Sequence, residues 1–150
     1  MSKERAHRSH HCEQLNTEHI GESITVSGWV HRRRDHGGVI FIDLRDASGI
    51  LQLVFDPSNK ELFAEAEKIR SEYVLSVSGS IRHRPEGTVN SDMITGEIEL
   101  LAESGSVLNT SLTPPFHHDE SANEDIRLKY RYLDLRRQKM SENLRLRHQI

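Results

Sequence analysis

Hydrophobic and polar residues alternate with a period of two from residue 24 onward. Ile24, Val26, Gly28 and Val30 share one face, and Thr25, Ser27 and Trp29 share the other, which predicts a half-buried strand. The run Arg32-Arg33-Arg34-Asp35-His36-Gly37-Gly38 closes on a glycine pair and predicts a hairpin turn. A second strand follows from Val39 to Arg45, a turn at Asp46-Ala47-Ser48-Gly49, and a third strand from Ile50 to Phe55. The period then changes. Ser58 and Glu61 have capping-box spacing, and Leu62, Ala66 and Ile69 form one apolar stripe, so a helix is predicted over 59–71. Strand alternation returns from Tyr73 to Ile81. After Arg82–Gly87 and an irregular stretch, a fifth strand begins at Gly96 and reaches Leu108.

Three strands, a helix and two strands is the order of an OB-fold: mainly β, a five-stranded barrel with one helix between strands three and four. Residues 1–22 are polar and read as a leader that packs on the barrel, which spans 23–108. Residues 109–125 read as a linker, because Thr113-Pro114-Pro115 resists both helix and central strand. Ser121 and Glu124 form a second capping-box pair. Residues 126–150 read as an Arg- and Lys-rich hinge and the start of a further domain, with a helix from 138 that carries Met140, Leu144 and His148 on one side.

Alternation also sorts side chains by face. Ile40, Ile42 and Leu44 form the inward row of the second strand, leaving Phe41 outside beside Val39 and Asp43. Leu51, Leu53 and Phe55 point inward from the third, leaving Gln52 outside. Ile98 and Leu100 point inward from the fifth, leaving Glu97 and Glu99 outside. An outward aromatic with an amide and carboxylates on neighbouring strands suits unstacked bases, with Phe as a stacking face and Gln and Glu meeting base edges. Taken alone, Phe41 fits the covering of an apolar patch equally well. Arginines shift the balance toward RNA. Arg32, Arg33 and Arg34 stand at the mouth of the first hairpin and Arg82 and Arg84 at that of the last, the loops that flank an OB-fold binding face.

Bulk properties narrow the classes. With 150 residues, 29% charged and a net charge of -3, the chain is not a polycation, so any nucleic-acid site is a local patch. The single cysteine, Cys12, allows no internal disulfide and fits a reducing compartment. No apolar stretch is long enough to span a bilayer or to serve as a signal peptide, and a cytoplasmic location is expected. His7, His10, His11 and Cys12 match no closed zinc spacing, and no metal site is expected. His117-His118 reads as solvated. No phosphate-cradling glycine loop, nucleophile elbow or catalytic carboxylate pair is visible.

Gly28-Trp-Val-His-Arg-Arg-Arg-Asp-His-Gly-Gly-Val-Ile-Phe-Ile-Asp-Leu-Arg-Asp46 resembles the N-terminal domain of the bacterial aspartyl-tRNA synthetases, class II enzymes of subclass b. So do Arg84-Pro-Glu-Gly-Thr-Val-Asn90, Thr95-Gly-Glu-Ile-Glu99 and Arg127-Leu-Lys-Tyr-Arg-Tyr-Leu-Asp-Leu-Arg-Arg137. The likeness runs from about residue 9 to the end. Tyr132-Leu-Asp-Leu135 is less specific, since asparaginyl and lysyl enzymes carry something similar. The resemblance implies that the barrel binds a tRNA anticodon loop. Phe41 then matches the aromatic that stacks on an anticodon base, Gln52 the amide that reads the middle base, and Arg34 and Glu99 further anticodon contacts.

It implies that the whole enzyme uses ATP and Mg2+ to make aspartyl-adenylate, charges tRNA(Asp), and is a homodimer largely through its catalytic core. The signature segments for ATP and aspartate are not among these residues, so the chain is expected to bind tRNA without catalysing and to take no cofactor itself. Two positions are associated with acceptance of tRNA(Asn) as well, one in each binding loop. Strict enzymes tend to have Leu and Lys there; this chain has His36 and Gly87, which implies the relaxed type. A stand-alone single-strand-binding OB-fold module, or an asparaginyl or lysyl enzyme fragment, is the alternative reading.

Overall fold

A computed structural model describes residues 8–118 and 121–150. Two compact units emerge, one ending at Leu112 and the other beginning at Thr113.

The first unit is a closed barrel with strand order β1-β2-β3-β5-β4. The strands are β1 (Ser23–His36), β2 (Val39–Arg45), β3 (Ile50–Phe55), β4 (Val74–His83) and β5 (Ile98–Asn109), with helix α1 (Lys60–Lys68) between β3 and β4. The predicted OB-fold is borne out. Adjacent pairs are antiparallel except β3 with β5, where Leu53 lies beside Leu100 in parallel register. The rows assigned inward by alternation are the core. Ile24, Val26, Val30, Ile40, Ile42, Leu44, Leu51, Leu53, Phe55, Ile98 and Leu100 are all buried.

Boundaries move for local reasons. β1 is longer than expected and includes Arg32 to His36, so only Gly37 and Gly38 make the turn, at φ of 61° and 78°. Two successive left-handed residues suit a tight hairpin, and glycine takes them without steric cost. Helix α1 is capped by Asn59, whose side chain accepts from Leu62 N, and not by Ser58. Ser58 donates its own backbone N–H to Asp56 Oδ1 at 2.8 Å, which ties it into the preceding turn. β5 begins at Ile98 because residues before it fold into a loop, with Gly96 N bonded to Met93 O.

One irregularity has large consequences. The β1–β2 register shifts between Val30 and Arg32, a β-bulge that leaves His31 as the extra residue. Beyond it, Arg32 lies opposite Asp43, Arg33 opposite Ile42 and Arg34 opposite Phe41. Uninterrupted alternation from Val30 would have turned Arg32 and Arg34 inward. The bulge reverses the phase, placing them on the side of Asp43 and Phe41.

The leader closes over the barrel through two short 3-10 turns, Cys12–Gln14 and Thr17–His19. Cys12 and Leu15 are buried in the core cluster. Burial pushes the Cys12 thiol pKa up, keeping it protonated. His7 lies outside the described residues. Among the described residues no group of three His, Cys, Asp or Glu side chains is placed to hold a metal ion, and no helix is long and apolar enough to cross a membrane.

The second unit carries α2 (Glu124–Lys129), α3 (Arg131–Asp134) and α4 (Gln138–Gln149). Asn123 caps α2 by accepting from Asp125 N, displacing the expected Ser121. Asp134 is fully buried and accepts from Arg127 Nε at 2.9 Å and Arg131 Nη1 at 2.9 Å, with Arg137 3.4 Å away. The Arg127 bond outweighs the opposing effect of burial and holds the carboxyl below its ordinary range.

Asp46 holds the leader to the β2–β3 turn. Its carboxylate accepts from Cys12 N at 2.9 Å, Ser48 N at 2.7 Å, Ser48 Oγ at 2.6 Å and Gly49 N at 3.1 Å. Burial would raise its pKa, but these donors prevail and hold it at about 2. A depressed folded pKa means the group stabilises fully above the unfolded value near 4, and the contribution disappears as pH falls through 2. Asp46→Ala is expected to cost about 2–3 kcal/mol at pH 7 by urea unfolding. It should also speed alkylation of Cys12. The cost should shrink steadily between pH 4 and pH 2.

Candidate nucleic-acid interface

One row of polar side chains crosses all five strands. Arg34 on β1 donates from Nη2 to Asp43 Oδ1 on β2 at 2.8 Å and to Gln52 Oε1 on β3 at 3.2 Å. Gln52 donates from Nε2 to Glu99 Oε2 on β5 at 2.8 Å. Arg82 on β4 donates from Nε to the other Glu99 oxygen, again at 2.8 Å. Register builds this row, since Asp43 lies opposite Gln52 and Arg82 opposite Glu99. Phe41, opposite Arg34, is half-buried beside it.

Partners on both sides fix the Gln52 amide. Glu99 offers only acceptors and Arg34 only donors, so Nε2 must face Glu99 and Oε1 must face Arg34. The arrangement is a sheet of preset donors and acceptors with an aromatic face at its border, flanked by guanidinium groups. A base can stack on such a surface and be read at its edge.

Several assignments are corrected in depth. Gln52 and Glu99 were expected outside, yet they are 5% and 1% exposed. They sit on the outer side of the sheet but under their neighbours, with Arg82 lying over Glu99. Arg84 was expected at the loop mouth as a phosphate contact. Its side chain is buried instead, donating to Ile98 O at 3.0 Å and approaching Met93 Sδ at 3.8 Å, and burial lowers its pKa. It holds the β4–β5 loop and is not free to meet a phosphate. Arg34 and Arg82 remain near half exposed, at 46% and 43%, but both are ion-paired.

Arg33 turns the other way, toward α1, with Nε 3.4 Å from Ala66 O and Nη2 bonded to Asp35. Arg32 is exposed on the face. His36 is exposed at the end of β1, and Gly87 is exposed in the β4–β5 loop at φ 79°. A Cβ at Gly87 would meet nothing within 4 Å, so the glycine serves its backbone angle and not a close contact. Asp43, placed outside beside Phe41 by the alternation but not singled out as a site residue, belongs to the row. Its position directly across from Gln52 was the available signal.

A barrel of this topology with such a face defines a nucleic-acid-binding domain, and comparison with known proteins agrees. The tRNA anti-codon family model, an OB-fold nucleic acid binding domain, matches residues 24–108, and the chain belongs to that family. It is 55% identical over 146 residues to the aspartate–tRNA(Asp/Asn) ligase of Halothermothrix orenii, covering 95% of this chain and 25% of that protein. The chain thus spans about a quarter of the length of the ligases it matches. The crystal structure of asparaginyl-tRNA synthetase from Pyrococcus horikoshii complexed with asparaginyl-adenylate is similar with a TM-score of 0.79 at 26% identity, over 93% of this chain and 31% of that one. The aspartyl tRNA synthetase from Entamoeba histolytica shares the fold, with a TM-score of 0.77 at 19% identity, over 86% and 32% of the two chains. The resemblance carried by the first-hairpin motif is borne out.

Loss of Glu99 would leave the Gln52 Nε2 group buried without its acceptor. Glu99→Ala is expected to lower stability by about 1–3 kcal/mol, the cost of an unsatisfied buried donor. Chemical denaturation of the variant at neutral pH checks this, and a value indistinguishable from the parent would show that the row does not depend on this carboxylate.

Proposed function

We propose that the barrel reads the anticodon loop of tRNA on behalf of an aspartate–tRNA(Asp/Asn) ligase. The observation that carries the reading is the five-strand row from Arg34 to Arg82 with Phe41 at its edge, found in a chain of the anticodon-binding family. Phe41 supplies the stacking surface, Gln52 the amide for the middle base, and Arg34 and Glu99 the groups that orient that amide and complete the contacts. Arg82 balances the Glu99 charge at the rim. In this reading ATP and Mg2+ belong to the rest of the enzyme, which joins aspartate to tRNA through aspartyl-adenylate and is a homodimer through its catalytic core. The barrel itself takes no cofactor and performs no chemistry.

Phe41→Ala is the direct test. Losing the stack should weaken binding of a tRNA with an aspartate anticodon by about 1–3 kcal/mol. Filter binding with a folded variant and unchanged affinity would sink the stacking assignment.

The same reading extends to tRNA(Asn). Aspartate and asparagine anticodons differ at the third base, C against U. Gly87 offers no side chain to penalise either, and His36 donates or accepts according to tautomer. The whole enzyme is therefore expected to charge both tRNAs. His36→Leu with Gly87→Lys should reduce aspartylation of tRNA(Asn) relative to tRNA(Asp). Gly87→Ala is the control, because it carries the cost of the left-handed backbone without the cation. No charging of tRNA(Asn) by the unmodified enzyme would refute this extension.

A further inference from the structure

The three consecutive arginines of the first hairpin have three different situations. Arg33 is turned toward α1, where it meets Ala66 O and Asp35. Arg34 has its guanidinium divided between Asp43 and Gln52. Arg32 is exposed and has no hydrogen-bond or ion-pair partner among the described residues. Yet Arg32 and Arg34 share one side of the β1–β2 ribbon, because the bulge at His31 sets both on the side of Asp43 and Phe41.

We infer that Asp43 is a positioning residue that commits Arg34 to reading a base edge beside Gln52, leaving contact with the RNA phosphates at this hairpin to Arg32. The inference rests on the anticodon reading above and divides its cationic face into two tasks. Asp43 is only 14% exposed in its side chain, and its oxygen lies 2.8 Å from Arg34 Nη2. A carboxylate at that distance compensates the Arg34 charge locally, so this guanidinium attracts a phosphate far less than a free one does. It also fixes the fork in direction. Arg34 can then meet a base edge with its remaining donors while one nitrogen stays on Gln52 Oε1. Arg32 lies opposite Asp43 in register but is exposed and makes no ion pair with it among the described residues. A phosphate of a strand whose base lies on Phe41 finds that cation on the same face.

Salt dependence separates the two tasks, because each phosphate contact contributes about 0.7–0.9 to the slope of log affinity against log salt. The probe is an anticodon stem–loop RNA of aspartate type, together with loops in which the middle base is replaced. Arg32→Ala should flatten the slope by nearly one and leave the preference for the middle base intact. Arg34→Ala should reduce that preference on the order of tenfold while changing the slope little. Asp43→Asn should do something a structural role would not: it frees the Arg34 charge, so preference falls while the slope becomes steeper. Asp43→Glu should bring the slope back, and Asp43→Asn in the Arg34→Ala background should not steepen it.

An Arg34→Ala slope change equal to that of Arg32→Ala overturns the division of tasks, and this comparison stands even if the Asp43 variants fail to fold. So does a folded Asp43→Asn with unchanged slope and preference. A folded parent chain that binds none of the stem–loops overturns the anticodon reading itself.

Discussion

A carboxylate buried to 1% exposure on the outer side of a barrel must be answered by donors, and Glu99 sets the terms for everything around it. A buried charge without partners costs several kcal/mol. Glu99 receives Arg82 on one oxygen and Gln52 on the other. That demand fixes the Gln52 amide, which presents its oxygen to Arg34, which in turn needs Asp43. Each strand contributes one member, and the bonds run Asp43–Arg34–Gln52–Glu99–Arg82, with Arg34 reaching past β2 to β3. The parallel pairing of β3 with β5 is what brings Gln52 and Glu99 together, although they are 47 residues apart in the chain. Side chains already paired in this way have less freedom left to lose when a ligand orders them.

Much of the fold was legible because a barrel strand has a strict period. Ile40, Ile42 and Leu44 could only be an inward row, and Phe41 could only be outside. Depth was not legible. Alternation says which side of a sheet a residue takes, but not what lies over it, and so Gln52 and Glu99 were placed on the right side yet assigned too much exposure. Arg84 shows the same limit at a loop, since a long side chain at a strand end can fold back under its own segment as readily as reach outward. The helix starts moved from Ser58 to Asn59 and from Ser121 to Asn123 because several residues near each start were competent caps and only the backbone chooses among them.

The leader illustrates how few apolar residues suffice to attach a polar segment. Cys12 and Leu15 enter the core, while Asp46 accepts the buried Cys12 N–H together with the Ser48 and Gly49 N–H groups of its own turn. Composition alone described residues 8–22 as hydrophilic. The two buried side chains are spaced by the 3-10 turn between them, a period too short to register as a helix or a strand.

The bulge at His31 makes the meaning of the arginine triplet a matter of counting. Three identical residues in a row carry no pattern of their own, and their roles are assigned by the single position that the β1–β2 register skips upstream. Pairing His31 with Asp43, with no position skipped, would turn Arg32 and Arg34 inward and Arg33 outward without altering the arginine content of the hairpin. A survey of the surface by substitution would pass over this dependence, because no replacement at His31 changes the count. The register in which β1 meets β2 is therefore as consequential as its letters, and the same triplet transplanted onto another barrel keeps these faces only where Arg32 again meets the position of Asp43.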